Sequence, residues 1–152
     1  MKLVDTDETV LIVTGSDLPA EMADRPTAYA LKSQIDRLGG GVGYRMAVVV
    51  SDQWYGANRI FQICPTIAVG GPGVNAVAAA LVEELPEIVR RDDRIIVQGS
   101  WDGEMKRVLL WGMDRVATAQ AAQAFLNEGH CAGFLNAVWK RAPLIPRRID
   151  LA

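Results

Sequence analysis

The sequence predicts an α/β domain: a three-layer, Rossmann-like arrangement with a mostly parallel sheet of about five strands, an antiparallel edge hairpin and helices on both faces. Three observations predict it. Short apolar runs rich in β-branched residues, such as Val10 to Thr14, close in Gly, Ser and Asp, as strands buried on both faces do. Segments with helical spacing alternate with these runs. The last two runs are joined by QGSWDGEMK alone, too little chain for a crossover helix, and its Asp102-Gly103 is a hairpin signal.

Taken in order, Val10 to Thr14 (VLIVT) is the first strand, closed by Gly15, Ser16 and Asp17. From Pro26, the segment PTAYALKSQIDRLGG sets Tyr29, Leu31, Ile35 and Leu38 at helical spacings, with Pro in the first turn and Gly39 at the end. Arg45 to Val50 is a second buried strand and Ile67 to Val69 the centre of a third, which runs into Gly70-Gly71-Pro72-Gly73. Asn75 is placed to cap an Ala-rich helix with Leu81 and Leu85 one turn apart on its inner face, and Pro86 ends it. Arg94 to Val97 and Arg107 to Trp111 are the fourth and fifth strands, antiparallel to each other. Asp114 caps a helix that Gly129 terminates, a short helix follows from His130, and an extended tail begins near residue 140. No linker or repeat divides the chain, so residues 1–152 are read as one domain.

Composition narrows function. With 152 residues, half of them hydrophobic and 22% charged, the chain has the balance of a packed core. Its net charge of −2 supplies no positive field for nucleic acid, and the uncharged stretch from Ile60 to Val82 is broken by Pro65, Gly70, Gly71 and Pro72, so no membrane span is expected. Cys64 and Cys131 lie far apart and outside metal-finger spacing; both are expected as buried thiols, with no metal site and no cofactor. The first residues carry acidic groups and no apolar leader, so a cytoplasmic setting is expected.

Two loops carry the candidate site. Gly70, Gly71, Gly73 and Asn75 sit between a strand and a helix, where free N–H groups and a helix dipole hold a small anionic ligand; the other reading is a tight structural turn. Ser51, Asp52, Trp54 and Tyr55 follow the second strand. If the strands run as drawn, this loop shares a crevice with the first, the two aromatics being available to stack on a planar group or to cover the sheet's end. Asp17 and Ser100 would complete a polar rim. His130 is the sole histidine, and no third group orients it toward Cys64 or Cys131, so it is read as a capping or surface residue. Glu83, Glu84, Asp92 and Asp93 read as solvated helix and turn charges. The Ala-rich helix faces, together with Trp139, Lys140-Arg141, Leu144-Ile145 and Arg147-Arg148, point to a homo-oligomer with a docking tail.

Two stretches, IAVGGPGVNAVAAAL from Ile67 to Leu81 and VLLWGMDRVATAQAAQAFL from Val108 to Leu126, resemble patterns in the α/β modules of archaeal S-layer-type surface proteins. That resemblance implies a non-catalytic domain in which Gly70, Gly71, Asn75, Asp114 and Thr118 are structural. The leading expectation is therefore a non-catalytic, homo-oligomeric binding or interaction domain. The alternative is an enzyme acting on a nucleotide-like or glycosidic substrate, with Asp52 and Tyr55 as its catalytic pair at the carboxyl edge of the sheet.

Overall fold

A computed structural model describes residues 4–140, and the tail expected beyond that point lies outside the described residues. The elements are β1 (Val10–Thr14), α1 (Leu18–Gly39), β2 (Ala47–Ser51), α2 (Asp52–Ala57), a 3-10 turn (Arg59–Ile63), β3 (Thr66–Val69), α3 (Ala76–Leu81), β4 (Glu87–Arg91), β5 (Ile95–Ser100), β6 (Arg107–Gly112), α4 (Arg115–Asn127) and α5 (His130–Trp139). The chain is α/β with one mixed sheet of six strands in the order β2-β1-β3-β6-β5-β4. β2, β1, β3 and β6 are parallel, in a register that sets Ile12 beside both Val49 and Ile67, and Ile67 beside Val108. β5 pairs antiparallel with β6 and with the edge strand β4.

Alternation along the strands divides the core. Val10, Ile12, Ile67, Val69, Val108 and Leu110 pack with Ala28, Leu31 and Ile35 of α1, Phe125 of α4 and Phe134 of α5. The intervening Leu11 and Val13 pack with Tyr55 and Cys64, and Ala68 and Leu109 with Ala78 of α3. A strand carries successive side chains to opposite faces, so each central strand is buried twice, which is why its sequence is an unbroken apolar run.

The structure departs from the sequence-based expectations in several places. There are six strands, not about five. β4 lies between Pro86 and the fourth expected strand, joined to β5 through Asp92 and Asp93, whose φ values of 54° and 53° are both left-handed. The Arg94 N–H donates to the Arg91 carbonyl across this turn (2.9 Å). Tight hairpins need two such residues, and Asn-Gly or Asp-Gly is the usual pattern; Asp-Asp fills the role with less sequence signal. α1 starts at Leu18, eight residues before Pro26, with Pro19 in its first turn and Pro26 inside it. Pro26 deletes the N–H that would reach the Met22 carbonyl; both residues are on the solvent side, where water can serve that carbonyl. Of the residues set at helical spacing, Tyr29 is half exposed, while Leu31 and Ile35 are fully buried.

Candidate functional site at the carboxyl ends of the parallel strands

The loops that follow β1, β2 and β3 meet. Asp52 is the tie: one carboxylate oxygen accepts from the Ser16 hydroxyl, and the other accepts from the Ala76 N–H at the start of α3 (2.8 Å). Gly15 permits the approach, because a Cβ there would lie 2.0 Å from the Val74 carbonyl oxygen. A shallow hollow of about 230 Å³ remains between Ser16, Asp17, Asp52, Gln53, Val74 and Ala76. Asn75, fully buried, holds the same junction from within. Its Nδ2 donates to the carbonyls of Val13 (2.9 Å) and Val69 (3.1 Å), and its Oδ1 accepts from Val77 N–H (3.0 Å) and Ala78 N–H (3.3 Å). One side chain thus spans the ends of β1 and β3 and caps α3.

These bonds decide what the Gly-Gly-Pro-Gly segment offers. The first three N–H groups of α3, where an anion was expected to sit, already serve Asp52 and Asn75. Before them, the Val74 and Asn75 N–H groups both donate to the Gly71 carbonyl, and the Gly70 N–H donates to Leu110. The protein's own carboxylate stands where a phosphate would. Gly70 alone of this segment is left-handed, at φ 114°; Gly71 and Gly73 are not.

The second loop divides. The Ser51 hydroxyl accepts from the Trp54 N–H and caps α2 (3.0 Å). Trp54 stacks on Phe61, ring centroids 5.3 Å apart. Tyr55 is buried, and its hydroxyl bonds Thr66 (2.9 Å) at the start of β3, the end of the sheet away from the Asp52 junction. Asp52 and Tyr55 are therefore neighbours in sequence that serve opposite edges. Ser100 does not join Asp17: β5 runs antiparallel, so its last residue lies beside Arg107 at the start of β6. At that edge the buried Arg107 guanidinium donates to the carbonyls of Cys64 and Lys106 (2.9 Å each) and of Gln62. Burial pushes its pKa down. Cys64 and Cys131 are buried free thiols whose pKa values burial raises to about 11 and about 12, and they belong to core clusters on different faces of the sheet. Trp139, expected to dock outward, is buried and donates from its indole to the Glu8 carbonyl (2.9 Å).

A larger cleft, about 430 Å³, opens beside the junction. The first turns of α1 (Pro19, Ala20, Ala23 and Asp24) form one wall, residues 71–74 a second, and Trp111 to Arg115 with Thr118 the third. It lies where the strand order reverses, since the chain passes from β1 to β2 on one side and then to β3 on the other. Trp111 is fixed there by Gln98, whose Oε1 accepts from the indole Nε1–H (2.9 Å) while its Nε2 donates to the Val82 and Leu85 carbonyls (2.8 Å each).

Asp24 is the residue that reasoning from sequence missed. It is 4% exposed, lines this cleft, and takes part in no hydrogen bond or ion pair of its side chain with any described residue. A Cβ on Gly70 would come within 2.8 Å of its Oδ2, so the glycine makes room for the carboxyl. Burial raises its pKa. The other charged side chains lining the cleft are Asp114 and Arg115; Asp114 is engaged by the Ala117 N–H (2.8 Å) and by Arg94 (3.2 Å). Thr14, whose buried hydroxyl has no partner among the described residues, ends β1 on the face that Val10 and Ile12 present to α1.

No family model matches this chain, and no curated protein matches it. Among the described residues, no helix is long and apolar enough to cross a membrane.

Proposed function

We propose that this chain is a Rossmann-like, three-layer domain that binds a small molecule in the cleft between α1, the β3–α3 loop and the β6–α4 loop, without transforming it. One observation carries the reading: the Asp24 carboxyl, which no described residue bonds, sits in a largely apolar cleft at the reversal of strand order. Polar groups in such settings are nearly always hydrogen-bonded, to protein, water or ligand, and an acceptor that opens into a cleft is placed to take a ligand's donor. The cleft's volume lies within the range of small-molecule sites. Binding is favoured over catalysis because Asp52 and Tyr55 are both occupied in holding loops.

A cytoplasmic setting belongs to the same proposal, supported by two free buried thiols. So does self-association, supported by the exposure of the large apolar side chains of Leu18, Met22, Met113 and Val116. The S-layer-type resemblance is kept as a proposal for the structural roles of Asn75 and Asp114, both of which cap helices.

The test is calorimetric titration of the protein with a panel of nucleosides, amino acids, amines and sugars, repeated on Ala23→Phe, which fills the cleft from α1. Binding by a panel member that Ala23→Phe abolishes is expected. Binding that survives Ala23→Phe, or none across the panel, would overturn the assignment. Sedimentation reads the oligomeric part, and a strict monomer contradicts it.

A further inference from the structure

We infer that the ligand of this cleft presents N–H donors to Asp24, in the manner of an amidine, a guanidine or the amino edge of a heterocycle, and is not an anion. The inference rests on the cleft being a binding site and adds the chemistry of what it takes.

Three observations point the same way. First, the Asp24 carboxyl is an acceptor without a donor. At 4% exposure it faces the cleft among Pro19, Ala20 and Trp111, and no described residue bonds it. A planar pair of N–H groups meets a carboxylate through two parallel bonds, the strongest neutral-pH complement such a group has. A cationic donor also restores the ionised form that burial disfavours. Second, the walls suit a flat apolar body. Trp111 is held in place by Gln98, and its ring lies 3.4 Å from where a Gly71 Cβ would be. Aromatic faces stack on planar rings and attract cations. Third, the backbone donors at the neighbouring α3 and at Ala117 are committed, while the start of α1, where Asp17 makes no capping bond, keeps the Leu18 and Ala20 N–H groups open. The start of α3 serves Asp52 and Asn75, the Ala117 N–H of α4 serves Asp114, and Pro19 deprives the first turn of α1 of one N–H. An anion entering the cleft would meet the Asp24 carboxylate, and among the described lining residues Arg115, exposed at the rim, is the one cationic side chain.

The probe is benzamidine, a flat ring carrying two parallel N–H donors, with benzoate as its anionic counterpart of similar size. Each is titrated into the full chain and followed by amide chemical shifts and calorimetry, on the wild type and on Asp24→Asn. Benzamidine is expected to shift the amides of Ala20, Gly71, Trp111 and Thr118, with affinity at least ten-fold above that of benzoate, and Asp24→Asn is expected to remove most of that preference. If benzoate binds in the cleft as tightly as benzamidine, or Asp24→Asn leaves the preference intact, the ligand chemistry is wrong while the cleft assignment stands. If neither compound moves a cleft amide, the cleft assignment fails and takes the inference with it. The comparison of the two probes on the wild type decides the matter even if the variant does not fold.

Discussion

Replacing Asn75 tests how the three loops are held together. Its orientation is unambiguous: both contacts of Oδ1 are N–H donors and both contacts of Nδ2 are carbonyls, so a flipped amide would reverse four bonds at once. Asn75→Ala removes the cap of α3, worth about 1 kcal/mol. It also strips a donor from two carbonyls beside a fully buried site, at roughly 1 kcal/mol each. The sum is about 3 kcal/mol, or a fall in Tm of roughly 6–12 °C for a domain of this size. Asn75→Asp separates the two contributions, because Asp caps as well as Asn does but turns a second oxygen toward the Val13 and Val69 carbonyls. Thermal and urea unfolding should show the Asp variant destabilised by at least about 2 kcal/mol. An Asp variant within about 0.5 kcal/mol of wild type, the ordinary scatter of surface substitutions, would mean that Asn75 is only a cap and that the bridge between β1 and β3 carries no weight.

Other outcomes follow from the same geometry. Asp52→Ala, which unties Ser16 from Ala76, should lower stability by roughly 1–2 kcal/mol after allowance for partial exposure, whereas Asp17→Ala should change little because Asp17 makes no capping bond; equal effects in urea unfolding would contradict the tie. Arg107→Met removes one donor each from the Cys64, Lys106 and Gln62 carbonyls, of which Cys64 keeps the Thr66 hydroxyl and Lys106 the Thr66 N–H, and should cost about 1–2 kcal/mol by the same measurement. For Asp24 the sign runs the other way. Its folded pKa lies above the unfolded value, so the native state is penalised as pH rises through the folded pKa, and the penalty is absent below the unfolded one. Asp24→Asn should therefore raise Tm at pH 7 and change it little at pH 3; a lower Tm at pH 7 would show that the carboxylate has a stabilising partner.

The fold was more legible in the sequence than the site. β1 is bounded as its apolar run predicts, and Asn75 and Asp114 cap α3 and α4 because short acceptor side chains before helical runs have few other uses. β4 was hidden because Glu87, Arg90 and Arg91 give an edge strand little apolar signal. Pro26 concealed the first two turns of α1, and with them Asp24, which falls on the helix's inner stripe with Ala20 and Ala28 only once the helix begins at Leu18. The convergence of the loops near Asp17, Asp52 and Gly70 was readable from parallel topology alone. The use of Asp52 as an internal substitute for an anion was not, since a carboxylate that caps another element's helix leaves no local spacing to find.

Titrating the carboxyl carbon of Asp24 by NMR, with and without benzamidine, decides whether this cleft takes an N–H donor. Asp24 in the free protein is expected to ionise above the ordinary aspartate range, and benzamidine to draw its pKa down. An Asp24 that ionises at or below that range, indifferent to benzamidine, would contradict that expectation.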